Sequence, residues 1–366
     1  MSFALALPAL WFFVPSKLSA LFLVFGYYLA AGRGIPVSAP VFFWEGPEWR
    51  VWAYVLWAAA SFVLAAPWGV FWVPRSAPGS LAAWRLCLAA FSASIPPLAT
   101  IGWASPLMAA GWFFPRLGWT GFLFAAILLL LVRRFPLCAV LPAVLSLSAV
   151  VASSPPPPPP GWLALQTAYG RAASGSSDFL DQFSRSMNLA KRILRQDPHV
   201  PYILVPENIA GRWNKAAQEL WQPVCDCLKE RHQTLVIGAE IHDDKTLTYD
   251  NSLIFLGTDT PAPYAQRMPV PVSEWMPTGG PGTANAHWFD KGTVKLANSF
   301  TAAVLICYEQ FLSWPILWTM ATSKVDLLVT VGNQWWSDQT IRAIEKQSAV
   351  SWARLFGLPL ISATNQ

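Results

Sequence analysis

The sequence predicts a multi-span α-helical membrane domain followed by an α/β domain, and three observations support this. Hydrophobic residues make up 54% and charged residues 12% of the 366 residues, whereas soluble chains carry about 25% charged residues. Residues 1–152 hold eight Lys/Arg and two acidic residues, while 153–366 hold 17 Lys/Arg and 18 acidic residues. Six consecutive prolines, 155–160, separate the two parts. This composition excludes a disordered chain, and since no run of Lys/Arg forms a basic stripe, we expect no nucleic-acid partner.

Six apolar runs are candidate spans of the membrane domain, residues 1–152. A span needs about 20 mainly apolar residues, so the run 51–74 is long enough by itself. The run 81–115 contains Pro96-Pro97 and Pro106, and it predicts either one span with a re-entrant piece or several short spans. We predict five to seven spans. The runs are 2–14, 18–32, 51–74, 81–115, 117–132 and 136–152.

The pair Arg133 and Arg134, between the last two apolar runs, indicates the orientation. Because Lys and Arg are enriched in short cytoplasmic loops, the run 136–152 is expected to lead outward and to place all later residues on the far side of the membrane. A proline-rich linker, 153–160, follows. Its prolines favour polyproline II, which at about 3.1 Å per residue gives a stiff spacer of roughly 19 Å.

From residue 161 onward, short strand-like runs alternate with helical ones. Several strand-like runs are continuously apolar, which is typical of sheets covered on both faces, so helices are expected on a mixed sheet. The predicted strands are Trp162–Gln166, Tyr202–Val205, Leu235–Ala239, Ser252–Leu256, Ala302–Cys307, Leu327–Val331 and Leu358–Ser362. The predicted helices are 178–195, 213–230, 311–322 and 338–355.

Candidate catalytic residues stand at the ends of predicted strands, where reactive groups of α/β sheets collect. Glu207 follows one strand, and Cys307 ends another with Glu309 two residues later. A cysteine nucleophile needs a base to form the thiolate, and a carboxylate such as Glu207 can serve if burial raises its pKa. The alternative is that Cys307 is a structural cysteine, since cysteine is often fully buried, and that Glu207 merely starts a helix.

A metal centre is not expected. The segment Cys225-Asp226-Cys227 with His232 lacks the second ligand pair of a zinc site, and the glycines at 279–282 show no phosphate-binding pattern.

Seven motifs, in order along residues 161–366, resemble those of the carbon–nitrogen hydrolase (nitrilase) superfamily, and in particular its apolipoprotein N-acyltransferase branch. That branch also places a multi-span membrane domain before its hydrolase domain. The resemblance implies an αββα sandwich, which here is short at its C-terminal end. The motifs are Leu163-Ala164-Leu165-Gln166, Pro206-Glu207-Asn208, Val236-Ile237-Gly238-Ala239, Tyr249-Asp250-Asn251-Ser252-Leu253, Ile306-Cys307-Tyr308-Glu309, Asn333-Gln334-Trp335-Trp336, and Gly357-Leu358-Pro359-Leu360 with Ala363-Thr364-Asn365.

The resemblance also implies roles for single residues. Glu207 matches the general base and Cys307 the nucleophile, while Glu309 and Glu274 match supporting acids. The backbone N–H of Tyr308 is then expected to stabilise the oxyanion.

The superfamily's catalytic lysine is missing. Counting back from Pro271-Val272-Ser273-Glu274 places Gln266 at the lysine position and Met268 at the position of a following histidine. Arg267 is the neighbouring cation, and it is predicted to take over the stabilisation of the oxyanion, although its rigid fork differs from an ammonium. The substitution is similar to that in membrane-bound relatives that serve plasmid conjugal transfer.

Together these features predict a Cys-dependent acyltransferase or amidohydrolase in the bacterial inner membrane, with its catalytic domain in the periplasm. The resemblance implies a thioester at Cys307, a phospholipid acyl donor in the membrane, and a protein or small-molecule amine as acceptor. No metal or organic cofactor is implied. The alternative is a catalytically degenerate binding module of the envelope or conjugation machinery, and Gln266 is the feature that favours it.

Overall fold

Helices occupy the N-terminal part of the chain and two sheets follow residue 161, over the residues that the computed structural model describes: 6–43, 47–135, 156–170, 178–297 and 300–366. The chain divides into two units. One comprises Met1–Pro156, Gln310–Trp314 and Ser337–Leu358, and the other Pro157–Glu309, Pro315–Trp336 and Pro359–Gln366.

The described helices are, in chain order, α1 Ala6–Trp11, α2 Lys17–Ala31, α3 Ile35–Phe43, α4 Pro47–Val70, α5 Gly79–Ser92, α6 Ala109–Phe113, α7 Trp119–Arg134, α8 Asp178–Leu194, α9 Lys215–Glu230, α10 Trp314–Thr322 and α11 Gln339–Phe356. The described strands are β1 Trp162–Ala164, β2 Tyr202–Leu204, β3 Thr234–Asp243, β4 Thr248–Gly257, β5 Tyr264–Ala265, β6 Thr293–Lys295, β7 Thr301–Ile306, β8 Leu327–Asn333 and β9 Leu360–Asn365.

In the first unit, prolines break the apolar run 81–115. The helix α5 ends before Pro96-Pro97, and only the short 3-10 turns Leu98–Thr100 and Pro106–Met108 and the five-residue α6 follow. Proline lacks the N–H that a helix interior needs, so this run does not form one long helix.

The helix α11 belongs to the first unit and packs against α6. Asp338 caps its start by accepting a hydrogen bond from the Ile341 N–H at 2.9 Å, and Gly357 ends it in the left-handed conformation, with φ of 70°. The Ser351 hydroxyl donates to the Met108 carbonyl. Gly111 allows this close approach, because a Cβ there would collide with the Ser351 backbone.

Among the described helices, one is long and apolar enough to cross a membrane, namely Arg50–Val70. The helices Lys17–Ala31 and Ile35–Phe42, bent by 55°, would add a second if the pair forms a single span. The five to seven spans stay a prediction. The last apolar run, 136–152, lies outside the described residues.

The second unit contains two sheets. In the first, with order β1-β2-β3-β4-β5, the pairs β1-β2 and β2-β3 are parallel and the pairs β3-β4 and β4-β5 antiparallel. In the second, with order β6-β7-β8-β9, only the pair β6-β7 is antiparallel. All seven predicted strands and all four predicted helices are confirmed within a few residues, whereas the short β5 and β6 escaped prediction.

Two apolar layers hold this unit together. One joins the facing sides of the two sheets, for example Val236 and Leu253 with Val304 and Val329. The other joins the outer face of the first sheet to α8 and α9. The continuously apolar strands are thus covered on both faces.

We expect Leu228→Ala to destabilise the second unit by about 2–5 kcal/mol, because Leu228 of α9 is fully buried against the sheet and the substitution leaves a cavity. Leu180→Ala on α8 is the matched control, since Leu180 is 67% exposed, and it should change stability by less than about 0.5 kcal/mol. Denaturant unfolding of the detergent-solubilised chain measures both. Equal losses would contradict the assigned layer.

Candidate active site

Cys307 lies at a sharp strand-to-turn junction. It directly follows β7, starts the 3-10 turn Cys307–Phe311, and is 6% exposed. Its φ of 48° is in the left-handed region, which costs a non-glycine residue about 1–3 kcal/mol and is found at functional sites. A strained turn after a strand also presents the nucleophile in other hydrolase folds.

Glu309 holds this turn in place. One of its carboxylate oxygens accepts a hydrogen bond from the Ile306 N–H at 2.8 Å, and the other accepts from the Arg267 N–H at 2.8 Å. The Arg267 Nε lies 3.3 Å from the same carboxylate, and both side chains are fully buried. Burial raises the pKa of Glu309, while Arg267 and the two N–H donors oppose that rise.

Arg267 connects this carboxylate to the surrounding structure. Its Nε donates to the Tyr264 hydroxyl at 3.0 Å, and its Nη1 donates to the Pro315 carbonyl at 2.9 Å and the Thr319 hydroxyl at 3.0 Å. These contacts tie the segment after β5 to α10. They make Arg267 a positioning residue for Glu309, while its stabilisation of an oxyanion stays a prediction.

A path of hydrogen bonds leads from Glu207 to the residue before Cys307. Glu207 is 3% exposed, and its Oε1 accepts from the Asn251 Nδ2 at 2.5 Å. The same Nδ2 donates to the Gln266 Oε1 at 2.9 Å, and the Gln266 Nε2 donates to the Ile306 carbonyl at 3.0 Å. The neutral amide of Gln266 therefore lies between the predicted base and the predicted nucleophile.

Gly238 of β3 lets the loop that carries Glu207 approach the sheet. A Cβ at this position would collide with the backbone of Glu207 and Asn208, so only glycine fits. Asn208 itself has a φ of 50°, and its Nδ2 donates to the Glu240 Oε1 at 2.6 Å.

Glu274 and Glu240 add two more carboxylates near the path. The Glu274 Oε2 accepts from the Val270 N–H at 2.9 Å. Burial raises the pKa of Glu274 to about 7, against the Val270 N–H and with the help of Glu240. Burial also raises the pKa of Tyr249, and the charges of Glu274, Glu240 and Glu207 add to that effect. Tyr249 is therefore close enough to sense all three carboxylates.

The structure brings together Glu207, Gln266 and the Cys307 turn, and it links Glu309 with Arg267. Tyr308 lies half-buried in the same turn as Cys307.

Sequence reasoning assigned no role to Asn251 or Glu240. They pair directly across β3 and β4, so their side chains share a face. Extending the strand pattern one residue before Ser252 would have shown Asn251 on the same face as the buried Leu253.

A second polar cluster lies beside this site. Asp250 accepts from the His287 Nε2 at 2.8 Å, and the His287 N–H donates to the Arg267 carbonyl at 2.9 Å. The hydrogen bond to Asp250 raises the pKa of His287. Sequence analysis placed His287 in a polar loop and gave it no role.

Fold and site define a two-sheet α/β protein with a buried cysteine at a strained turn and a buried glutamate linked to it. Two curated relatives share this chain's sequence over nearly its full length. The conjugal transfer protein TraB of Agrobacterium fabrum is 34% identical and the alignment covers 99% of this chain and 87% of that protein. The probable conjugal transfer protein TraB of Sinorhizobium fredii is 32% identical, with 99% and 92% covered. The chain belongs to the TraB family of conjugal transfer proteins.

Similarity to solved structures is lower. An amidase from Nesterenkonia sp. AN1, described with an acetamide moiety on its active-site cysteine, has 12% identity and a TM-score of 0.39, with 58% of this chain and 79% of that chain covered. A mutant of the same amidase, described as from the nitrilase superfamily, has a TM-score of 0.36 at 11% identity, with 56% and 76% covered. No family model matches the chain.

We expect Arg267→Met to lower the free energy of unfolding by about 3–5 kcal/mol, because it leaves the buried Glu309 carboxylate without its charged partner. Arg212→Met is the matched control. It breaks the exposed pair with Asp244, whose side chains are 55% and 89% exposed, and should cost about 0–1 kcal/mol. Denaturant titration distinguishes the two, and similar small losses would refute the anchoring role of Arg267.

The raised pKa of Glu274 predicts a specific pH dependence of stability. Between its ordinary value of 4.5 and about 7, the folded state keeps the proton that the unfolded state releases, so the free energy of unfolding falls as pH rises through this range. Glu274→Gln should remove this part of the decline. Glu230→Gln, at the exposed end of α9, is the control and should leave it unchanged. Melting temperatures at pH 5 and pH 8 test this, and parallel curves for wild type and Glu274→Gln would contradict it.

Proposed function

We propose that the chain is a membrane-bound, Cys-dependent acyltransferase or amidohydrolase with a nitrilase-type αββα sandwich. The observation that carries the proposal is the path of hydrogen bonds from Glu207 through Asn251 and Gln266 to the carbonyl of Ile306. It fixes a buried carboxylate relative to a buried thiol, which is the pairing that nucleophilic catalysis by cysteine needs.

In the proposed reaction, Glu207 takes the Cys307 proton, and the thiolate attacks the carbonyl carbon of an acyl donor. The backbone N–H of Tyr308 donates to the developing oxyanion, and Arg267 is the predicted cation, held beside Glu309. Collapse of the tetrahedral intermediate releases the leaving group, which takes the proton from Glu207, and leaves a thioester on Cys307. Attack by an amine or by water then restores the thiol.

The proposed location is the bacterial inner membrane, with the sheets in the periplasm. Large apolar side chains of α2 and α4 are exposed, among them Phe22 at 58% and Trp52 at 55%, and contiguous exposed apolar surface marks contact with lipid or protein. Membrane lipid is therefore the proposed partner, a phospholipid the acyl donor, and an amine the acceptor.

The proposed biological role is in plasmid conjugal transfer, for which both curated relatives are named. The second candidate function is a non-catalytic binding module of the same machinery. It is favoured by Gln266, because a neutral amide at the lysine position does not offset the negative charge that develops during acyl transfer.

We expect Cys307→Ser and Glu207→Gln each to lower conjugal transfer and to abolish any acyl thioester trapped on the chain by mass spectrometry. Losing the nucleophile removes covalent catalysis, at a cost of about 10³-fold or more in turnover. Cys225→Ser, on α9 away from the site, is the control and should behave as wild type. Full transfer frequency with Cys307→Ser at unchanged protein level would favour the binding module.

The orientation is tested with reporter fusions. A reporter joined after Arg134 should be cytoplasmic and one joined after Pro160 periplasmic, since basic pairs stay in the cytoplasm. Fusions after Arg75 give a further point on the cytoplasmic or periplasmic map. A cytoplasmic signal at residue 160 would reverse the proposed orientation and remove the periplasmic enzyme.

A further inference from the structure

We propose that the site binds a primary ammonium group between Glu207, Glu240 and Glu274, in the position where a lysine side chain would otherwise supply the positive charge. The inference rests on the proposed function and names its acceptor class: an amine that arrives protonated. It is carried by the arrangement of carboxylates on one face of the first sheet and by an unsatisfied acceptor among them.

The geometry places the carboxylates together. Glu240 and Asn251 are direct partners across β3 and β4, and such partners have Cβ atoms about 4.5–5.5 Å apart on one face. Asn251 contacts Glu207 at 2.5 Å, while Glu240 contacts Asn208 at 2.6 Å and His242 at 3.1 Å. Glu274 belongs to the same cluster, since its charge and that of Glu240 act on each other and on Tyr249.

The unsatisfied acceptor is the Oδ1 atom of Asn251. Asn251 is 5% exposed, and its Nδ2 makes two hydrogen bonds in the site, but its Oδ1 accepts none from the described residues. A buried carbonyl oxygen without a donor costs about 1–3 kcal/mol. The atom therefore calls for a donor from a ligand, and an ammonium offers three.

The neighbouring arginines are engaged elsewhere. Arg267 is bound to Glu309 and α10, and Arg212 pairs with Asp244 at the surface. Gln266 fills the lysine position without charge. A concave site with carboxylates of one sign attracts cations and raises their encounter rate by about 10–10³-fold.

The same carboxylates suit the next step of the reaction. An ammonium must lose a proton before its nitrogen attacks the thioester, and Glu274 as a carboxylate takes that proton. The free amine then forms the C–N bond while the C–S bond breaks, and the Cys307 thiolate regains a proton from Glu207. The proton count closes, with one proton moving from the amine to Glu274.

The test uses three methanethiosulfonate reagents on the full-length chain in membranes at pH 8. Thiolate attack forms a mixed disulfide and releases methanesulfinate. The reagents transfer an aminoethyl, a methyl or a sulfonatoethyl group, so they carry positive, no or negative charge. We expect Cys307 to react at least about tenfold faster with the aminoethyl than with the sulfonatoethyl reagent, and Cys225 to show a ratio within about threefold of one.

Variants identify the source of the preference. Gln266→Lys supplies an ammonium of its own and should cancel the preference, whereas Gln266→Met, neutral and similar in length, should keep it. Glu274→Gln should reduce it several-fold, which tests the proposal even if Gln266→Lys does not fold. Equal ratios at Cys307 and Cys225, or a Cys307 inert to all three reagents, would overturn the proposal.

The outcome is separable from that of the proposed function. A trapped thioester on Cys307 without any charge preference would retain the enzyme and overturn the ammonium site. A clear preference that disappears in Gln266→Lys, without any thioester, would support the ammonium site and count against catalysis.

Discussion

The site depends on the Glu309 carboxylate. It accepts hydrogen bonds from the N–H groups of Ile306 and Arg267, and the guanidinium of Arg267 lies against it. One end of this contact fixes the turn on which Cys307 adopts a positive φ, and the other fixes the segment that carries Gln266. A strained conformation persists only where its surroundings over-determine it, and here a fully buried ion pair does so. Because burying a charge is costly unless it is paired and hydrogen-bonded, neither member can change without the other.

The consequence of this arrangement is that Arg267 has contacts on several sides. Its fork reaches Tyr264, Pro315 and Thr319 in addition to Glu309, and Gly292 lies so close that a Cβ there would collide with it. An arginine held in this way is well suited to position a turn. The neutral Gln266 next to it reaches the opposite neighbours, Asn251 and Ile306. Adjacent residues thus divide the tasks, with Arg267 on the anchoring side and Gln266 on the side of Glu207.

Much of the second unit was predictable because its strands are short, apolar and separated by helical runs, a pattern that tertiary contacts did not override. The two strands that escaped, β5 and β6, span two and three residues. They form only through pairing with β4 and β7, which no local pattern reveals. Glu207, Cys307 and Glu309 were predictable as polar groups at strand ends. Asn251 and Glu240 were not, since their role comes from cross-strand register. In the first unit, hydropathy predicted apolar runs but not where prolines would divide them.

The charge of the site links its architecture to its chemistry. Acyl transfer develops negative charge on the carbonyl oxygen, and one missing oxyanion donor typically costs about 10²–10³ in rate. In a site where Glu207, Glu240 and Glu274 lie near one another and Gln266 is neutral, a positive group that arrives with the substrate would counter that charge only while the substrate is bound. Without it, the carboxylates would disfavour a thiolate at Cys307, because like charges raise a thiol's pKa. The proposed ammonium therefore does two things through one interaction: it satisfies Asn251, and it makes the thiolate form most accessible when an acceptor is in place.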